Sequence, residues 1–189
     1  MERISLLNTG QAAQCLAGGE VIAYPTEAVY GLGCDPFHEP AVREILRLKD
    51  RPESAGLILV ADSVERFEPF IGPVSDELKQ RALNAWPGPV TWLFPRAANV
   101  PDWLAGTHDT IALRIPDHAV CRELCAAFGG ALVSTSANPR GQEPARSAAR
   151  VREYFGDELC GIVAGALGKQ GQPSEIRDLV SGRVMRPGS

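Results

Sequence analysis

The sequence predicts one α/β domain that spans residues 1–189. Apolar runs of four or five residues, the length of buried strands, recur between segments whose apolar residues have helical spacing. The Gly- and Pro-rich breaks between them are too short to be domain linkers. With 44% hydrophobic and 22% charged residues, a chain of 189 residues can bury a substantial core. Strands and helices that alternate along a chain are typical of layered α/β folds.

The predicted elements follow from capping residues, stops and apolar spacing. The first helix begins at Asn8 and Thr9, which are capping residue types, and ends before Gly18. The next helix begins at Pro40 and runs to Lys49. The later predicted helices span residues 75–86, 119–128 and 147–154, and the predicted strands span residues 21–24, 57–60, 90–94, 111–115 and 131–135. Two polar, Gly-rich stretches, residues 139–144 and 167–173, are expected to be mobile.

Charge and cysteine content exclude several classes of protein. A formal net charge of −4 argues against a protein that coats nucleic acid through its overall charge, so any RNA or nucleotide site has to be local. The five cysteines form an odd set without C-x-x-C spacing, which predicts neither a disulfide framework nor a zinc site and favours a reducing cytoplasm. Cys121 and Cys125 share a helix face and are expected in the core. No apolar run reaches the roughly 18 residues that a membrane span needs.

The sequence contains neither the histidine spacing of a metal site nor the motif of a common hydrolase. His38, His108 and His118 lack the spacing of metal ligands, so we expect all three to be structural. Neither a P-loop nor a Ser-His-Asp order is present, which removes the commonest readings as a P-loop enzyme or hydrolase.

Residues 25–33 join polar side chains to glycines directly after a buried strand, where ligands often meet open α/β sheets. This location favours a binding site. An ordinary turn, in which Thr26 and Glu27 bond the local backbone, agrees equally well with the segment.

Lys49 and Arg51 lie two positions apart, on what we predict to be non-helical chain before Pro52. Both side chains can then point into one cavity and hold neighbouring phosphate oxygens. A solvated charge run at a helix C-terminus is the alternative, and it is the simpler explanation of this segment by itself.

Hydroxyl, amide and guanidinium groups follow two further buried strands. Ser134, Ser136 and Asn138 exceed what a chain reversal requires and can hydrogen-bond a substrate, although a turn or helix cap uses the same residue types. Arg114 ends another strand and Arg186 lies near the C-terminus. Either arginine can clamp a carboxylate or phosphate, and a surface salt bridge is the alternative for each.

Six short strings occur in order along nearly the whole chain, and each is weakly specific by itself. They are residues 25–33 (PTEAVYGLG), 49–52 (KDRP), 86–91 (WPGPVT), 114–118 (RIPDH), 134–138 (STSAN) and 173–178 (PSEIRD). Together, at this spacing, they resemble the YrdC/TsaC family of threonylcarbamoyl-AMP synthases in its short bacterial form.

The resemblance implies a twisted open mixed sheet, flanked by helices, around a large concave cavity. It implies an enzyme that converts L-threonine, bicarbonate and ATP to threonylcarbamoyl-adenylate and diphosphate, after which partner proteins transfer the group to adenosine beside the tRNA anticodon. The residues that it implies for ATP are Lys49, Arg51, Thr110, Ser136, Asn138 and Arg186, and those for threonine are Thr26, Arg114, Ser134 and Ser174.

The residue types agree with this chemistry. Lys49 and Arg51 can neutralise charge that develops on the phosphates, which makes them the implied catalytic residues. Mg²⁺ bound to the triphosphate can orient it and assist the departure of diphosphate. No protein metal ligand and no general base is identified.

A non-catalytic RNA-binding module is the alternative function. Its support is a group of arginines near residues 134–138, namely Arg140, Arg146, Arg150 and Arg152. The acidic total and the lack of an aromatic-rich RNA motif count against it.

Overall fold

The computed structural model describes residues 4–169 and 174–188. Within those ranges the backbone forms ten strands in one mixed sheet, with helices packed against it. The strands are β1 (Leu6–Leu7), β2 (Ile22–Pro25), β3 (Tyr30–Gly33), β4 (Ile58–Val60), β5 (Val90–Pro95), β6 (Thr110–Arg114), β7 (Leu132–Ser136), β8 (Gly161–Val163), β9 (Glu175–Asp178) and β10 (Val184–Arg186). The helices are α1 (Thr9–Ala17), α2 (Glu39–Lys49), α3 (Asp76–Leu83), α4 (Asp102–Ala105), α5 (Ala119–Phe128) and α6 (Ala148–Phe155).

The strand order across the sheet is β1-β8-β2-β3-β7-β4-β6-β5-β9-β10. Parallel pairs such as β4 with β6 stand beside antiparallel pairs such as β4 with β7, so the sheet is mixed. Strands β3, β7, β4 and β6 lie at its centre although they are far apart in the sequence. The central strands therefore bring distant segments side by side, which is what a composite site requires.

Apolar side chains bury both faces of the sheet. On one face, Leu16 of α1 and Leu124 of α5 pack with Ile22 and Leu132 in a fully buried cluster. A larger cluster, which includes Ile45 of α2, fills the other side. Burying one such side chain stabilises the fold by roughly 1.5–3 kcal/mol.

The β2–β3 hairpin was missed by the sequence analysis, which treated residues 25–33 as a polar connection. Glycines in β3 make room for the ring of Tyr24. A Cβ atom at Gly33 would lie 2.7 Å from Cε1 of Tyr24 and 2.9 Å from the carbonyl oxygen of Val133, so only glycine fits under the ring.

The predicted helices and strands are confirmed, with boundary shifts of a few residues. The largest shift is at α3, which ends at Leu83 rather than at residue 86. Pro87 disfavours helical backbone at Trp86, and the Trp86 indole instead packs into the core and donates from Nε1 to the carbonyl oxygen of Val90 at 2.7 Å. The strands β1, β8, β9 and β10 and the helix α4 are too short for their periodicity to be recognised in the sequence. Part of the stretch 167–173, expected to be mobile, lies outside the described residues.

The prediction that the cysteines form no disulfide is wrong for one pair. Cys15 and Cys160 are joined, with their Cα atoms 6.3 Å apart across 145 positions of sequence. Cysteine spacing could not show this, because the pair meets only once β8 has joined the sheet beside α1. Cys121 and Cys125 are buried thiols, and their predicted place in the core is confirmed.

Two of the histidines are helix caps, in line with a structural role. Nδ1 of His38 accepts from the backbone N–H of Ala41 at the start of α2, and Nδ1 of His118 accepts from that of Cys121 at the start of α5. Within the described residues, no helix is both long enough and apolar enough to cross a membrane.

Candidate functional site

A cavity of about 430 Å³ lies over the central strands of the sheet. Strand pairing places its floor on one face, because side chains two positions apart in a strand point to the same side. Ser134 and Ser136 of β7 stand on this face, and Ser134 is paired with Ile58 of β4. Val60 is paired in turn with Arg114 of β6. The cavity therefore spans the face of the central strands and the turns that follow β2 and β6, since residues 26–29 and Pro116 also line it.

Seven of the ten sequence-predicted site residues line this cavity. They are Thr26, Arg51, Arg114, Ser134, Ser136, Ser174 and Arg186. Lys49 and Asn138 lie next to this lining. Nζ of Lys49 is 3.5 Å from Oγ of Ser136 and 3.4 Å from Oδ1 of Asn138. Thr110 lies at the opposite end of β6 from Arg114, where it pairs with Pro95.

Arg114 is held by a buried glutamate that the sequence analysis did not assign to the site. Glu27 is only 4% exposed, and its Oε1 accepts from Nη2 of Arg114. The same oxygen accepts from the backbone N–H of Asp117 at 3.0 Å, and Nε of Arg114 donates to the carbonyl oxygen of Gly88 at 3.1 Å. The charge of Glu27 next to a strand end was visible in the sequence, but its burial was not.

Two hydroxyl groups of the predicted threonine site already have protein partners. Oγ1 of Thr26 donates to the carbonyl oxygen of Val29 at 2.7 Å, so the alternative of a local turn is also present. Oγ of Ser174 lies 2.9 Å from Oγ1 of Thr91, which is fully buried and has no role in the sequence-based site. Each hydroxyl keeps lone pairs that can accept from a ligand.

Lys49 is the last residue of α2 and only 7% exposed, so the expectation of two cations on non-helical chain is wrong for it. Its Nζ donates to the carbonyl oxygens of Ser136 and Asn138, the latter at 3.0 Å. Burial, followed by the charge of Arg51, lowers its pKa to about 8. The chain leaves the helix at Asp50, which takes left-handed backbone with φ of 47°. Lys49 thus braces the segment that carries Ser136 and Asn138.

Arg51 and Arg186 place positive charge at the same side of the cavity. Nη2 of Arg51 donates to the carbonyl oxygen of Gly56 at 2.8 Å, and Nη2 of Arg186 donates to that of Ser174 at 2.9 Å. Burial lowers the pKa of both guanidinium groups, and the charge of Arg186 lowers that of Arg51 further. Guanidinium groups stay charged in proteins despite such shifts. Two guanidinium groups that line one cavity and act on each other electrostatically favour an anionic ligand there.

The described lining of the cavity is electropositive as a whole. It includes four arginines, namely Arg51, Arg114, Arg146 and Arg186, against two glutamates, Glu27 and Glu143. This is the local basic site that the sequence required of an acidic chain, since the net charge is −4.

The chain that follows β8 packs against the segment that carries Thr26 and Glu27. The hydroxyl of Tyr30 donates to the carbonyl oxygen of Gly165 at 3.3 Å, and burial raises the pKa of this hydroxyl. The backbone N–H of Gly168 donates to the carbonyl oxygen of Thr26 at 2.9 Å. A Cβ atom at Gly168 would come within 2.7 Å of Cα of Glu27, so glycine permits this close cover.

Metal ligands are not gathered at the site. Within residues 4–169 and 174–188, no group of three or more His, Cys, Asp or Glu side chains is placed to hold a metal ion.

Comparison with known proteins finds relatives across nearly the whole chain. The family model Sua5_yciO_yrdC, described as telomere recombination, matches residues 14–188. A relative from Cellvibrio japonicus, named threonylcarbamoyl-AMP synthase, is 52% identical over 176 residues, which is 93% of each chain. A relative of the same name from Pseudomonas putida is 49% identical over 185 residues, 98% of this chain and 100% of the relative.

Solved structures confirm the expected fold. P. abyssi Sua5 complexed with L-threonine superposes with a TM-score of 0.88 at 33% identity, and the match covers 95% of this chain and 54% of that one. The chain thus spans about half the length of that relative. E. coli YciO superposes with a TM-score of 0.80 at 26% identity over 95% of this chain and 88% of its own.

Proposed function

Because the chain belongs to the Sua5/YciO/YrdC family, we propose that it is a threonylcarbamoyl-AMP synthase whose residues 1–189 form one catalytic domain. It condenses L-threonine, bicarbonate and ATP into threonylcarbamoyl-adenylate and diphosphate. The observation that carries this proposal is the convergence of predicted phosphate-binding and threonine-binding residues on one electropositive cavity. The curated relatives of about half identity, which bear the same name, support it.

We assign the ATP end of the cavity to the segment around Arg51. Arg51 and Arg186 donate to backbone carbonyl oxygens, which are uncharged. Their positive charges can therefore act on the triphosphate. Lys49 acts mainly through Ser136 and Asn138, whose segment it holds in place. Thr110, at the far end of β6 from Arg114, stays a predicted ATP residue.

We assign the threonine end to Thr26, Arg114, Ser134 and Ser174. Arg114 is the carboxylate clamp, because its Nη1 has no partner among the described residues while Nε and Nη2 are anchored. The three hydroxyl groups line the same cavity and can bond the amine or the side-chain hydroxyl of threonine.

The reaction has two steps that this site can assist by position and charge. The neutral amine of threonine attacks the carbon of bicarbonate, and loss of water leaves a carbamate. A carbamate oxygen then attacks the α-phosphorus of ATP, the bond to the bridging oxygen breaks, and diphosphate leaves with that electron pair. Fixed cations stabilise the charge that develops on the phosphate oxygens, so catalysis rests on positioning and electrostatics.

Mg²⁺ would enter as a companion of ATP. The absence of a three-ligand acidic group in the described chain fits an ion that is held by phosphate oxygens and water, as Mg²⁺ often is. Bound there, it would neutralise the triphosphate and orient it toward Arg51.

Other proteins complete the pathway in this proposal. They transfer the threonylcarbamoyl group to tRNA in the cytoplasm, and the chain by itself leaves tRNA unmodified. The Cys15–Cys160 disulfide is the observation that counts against a reducing compartment. The arginines that support an RNA-binding module are partly engaged within the protein, since Arg140 faces Asp50 at 3.8 Å and Arg150 pairs with Glu153 at 2.8 Å.

Release of diphosphate tests the proposal. Purified protein with ATP and Mg²⁺ is expected to release diphosphate only when L-threonine and bicarbonate are both present. Omission of each substrate in turn provides the controls. Release that continues without threonine contradicts the proposed reaction, and salt-sensitive RNA affinity without any release supports the binding module instead.

A further inference from the structure

Glu27 is a buried carboxylate that the proposed reaction does not yet use. Its side chain is 5% exposed, and that of Arg114 is 13% exposed. Removing a carboxylate from water is costly unless it is paired and hydrogen-bonded. Here Oε1 is satisfied twice, by Arg114 and by the backbone N–H of Asp117. These two contacts offset the cost of burying the Glu27 charge, and they tie Glu27 to Arg114.

The two contacts of Arg114 fix its guanidinium plane. Gly88 accepts from Nε and Glu27 accepts from Nη2, so rotation about the last side-chain bonds would break these contacts. Nη1 has no partner among the described residues, and Arg114 lines the cavity. An arginine reads a carboxylate through the geometry of its planar fork, so the fork has to be oriented before the ligand arrives.

The surroundings of Glu27 hold it in turn. Asp117 supplies a backbone donor from the turn after β6, and Gly168 packs on the Glu27 backbone from outside. The chain around Gly168 is itself bonded to Thr26, a second predicted threonine residue. Glu27 thus links the two sides of the threonine end of the cavity.

We propose that Glu27 is a positioning residue, which orients the Arg114 guanidinium so that it recognises the carboxylate of threonine and discriminates against substrates that lack this charge. The proposal rests on the proposed function, and it adds the residue that sets substrate preference. Glu27 does not touch substrate in this role.

A purely electrostatic effect has the opposite sign. If Glu27 only neutralised Arg114, its removal would free positive charge and strengthen the binding of any carboxylate. The geometry favours orientation, because Glu27 and Gly88 together define the plane of the fork. The sign of the change therefore separates the two effects.

The test compares L-threonine with L-threonine amide, which has the same side chain and amine but no carboxylate. The measured quantity is the ratio of kcat/KM for the two substrates in adenylate formation. Glu27→Ala removes both the acceptor oxygens and the charge, whereas Glu27→Asp keeps the charge and withdraws it by one methylene. Both variants are expected to lower the ratio at least tenfold through the KM for threonine, with the KM for ATP unchanged. The exposed Glu153→Ala substitution is the matched control and is expected to keep the wild-type ratio.

Two further results complete the test. A variant that only loosens the fold lowers kcat/KM for both substrates equally, and this result, like an unchanged or increased ratio, overturns the proposal. On an Arg114→Ala background, Glu27→Ala is expected to cause no further loss of preference, since the two residues act as one unit. If the wild-type protein forms no adenylate and binds no threonine by calorimetry, the proposed function itself is wrong. If the wild-type protein is active and the Glu27 variants keep its kcat/KM ratio, only the positioning role is wrong.

Discussion

Replacement of Lys49 by methionine separates its bracing role from its charge. Methionine keeps an apolar stem of similar length in a site that is only 7% exposed, and it removes the ammonium group. The carbonyl oxygens of Ser136 and Asn138 then lose their donor. Two opposing effects on the free energy of unfolding follow.

The magnitudes nearly cancel. A pKa lowered from 10.5 to about 8 means that burial of the charged form costs roughly 3 kcal/mol, and Lys49→Met removes this cost. Each of the two part-buried carbonyl oxygens costs about 1–3 kcal/mol when it has no donor. The total for both is roughly 2–4 kcal/mol when water replaces part of the lost hydrogen bonding. We expect a net change within about 2 kcal/mol, which is a shift in melting temperature of less than about 8 °C for a chain of this size.

ATP affinity is expected to fall at least tenfold in the same variant, because the Ser136–Asn138 segment loses its brace and the site loses a charge. Calorimetry measures the affinity and thermal unfolding measures the stability. Wild-type ATP affinity with an intact melting curve would refute the bracing role. A loss of stability above about 4 kcal/mol would instead refute the cancellation.

The lowered pKa of Lys49 also sets a pH window. Between about pH 8 and 10.5 the unfolded chain binds more protons at this residue than the folded protein does, so its contribution to the free energy of unfolding rises with pH. ATP affinity is expected to fall over the same window as Lys49 loses its charge. Both changes are expected to be absent in Lys49→Met. Urea unfolding at about pH 7.5 and about pH 9.5 measures the change in the free energy of unfolding, and calorimetry at the same two pH values measures the change in ATP affinity.

Three other substitutions have expected outcomes. Arg51→Lys keeps the charge but removes the planar fork of the guanidinium group. A fall in turnover of roughly tenfold or more at unchanged melting temperature is expected and indicates bidentate phosphate recognition. Near-normal turnover would show that charge suffices. Arg114→Ala is expected to raise the KM for threonine at least tenfold, in line with about 1.5–3 kcal/mol for a charge-assisted hydrogen bond, and an unchanged KM removes Arg114 from the site. The double variant Cys15→Ser, Cys160→Ser is expected to lose about 2–4 kcal/mol in urea unfolding under oxidising conditions, and reductant should lower the wild type to the same level. Equal stability of the oxidised wild type and the double variant would contradict a stabilising disulfide.

The α/β architecture was predictable because its longer elements carry strong local signals. Helix α2 shows this well, since Pro40 and the apolar spacing up to Lys49 both point to one helix. Strand β8 has only three residues, and its pairing with β1 and β2 depends on contacts that form across the sheet. The disulfide was missed for the same reason, because Cys160 precedes that strand.

The sequence named candidate site residues, most of which the fold brings to one cavity, but it did not give their arrangement. Ser134 and Ser136 share a face by strand alternation, so their convergence follows from β7 alone. The burial of Lys49 and Glu27 depends on segments far away in the chain, including Asn138 and Gly168. Lys49 lies four positions after Ile45 on the buried face of α2, so helical spacing pointed to its burial although its charge suggested a solvated helix end. Local spacing gives no such indication for Glu27.

The most direct test of the proposed reaction follows the carbon of bicarbonate. Protein is incubated with ATP, Mg²⁺, L-threonine and ¹³C-bicarbonate, and the products are separated and weighed by mass spectrometry. The proposed function predicts an adenylate that contains threonine and one ¹³C atom, formed together with an equal amount of diphosphate. An adenylate without the label, or release of diphosphate with no threonine-containing adenylate, would contradict it.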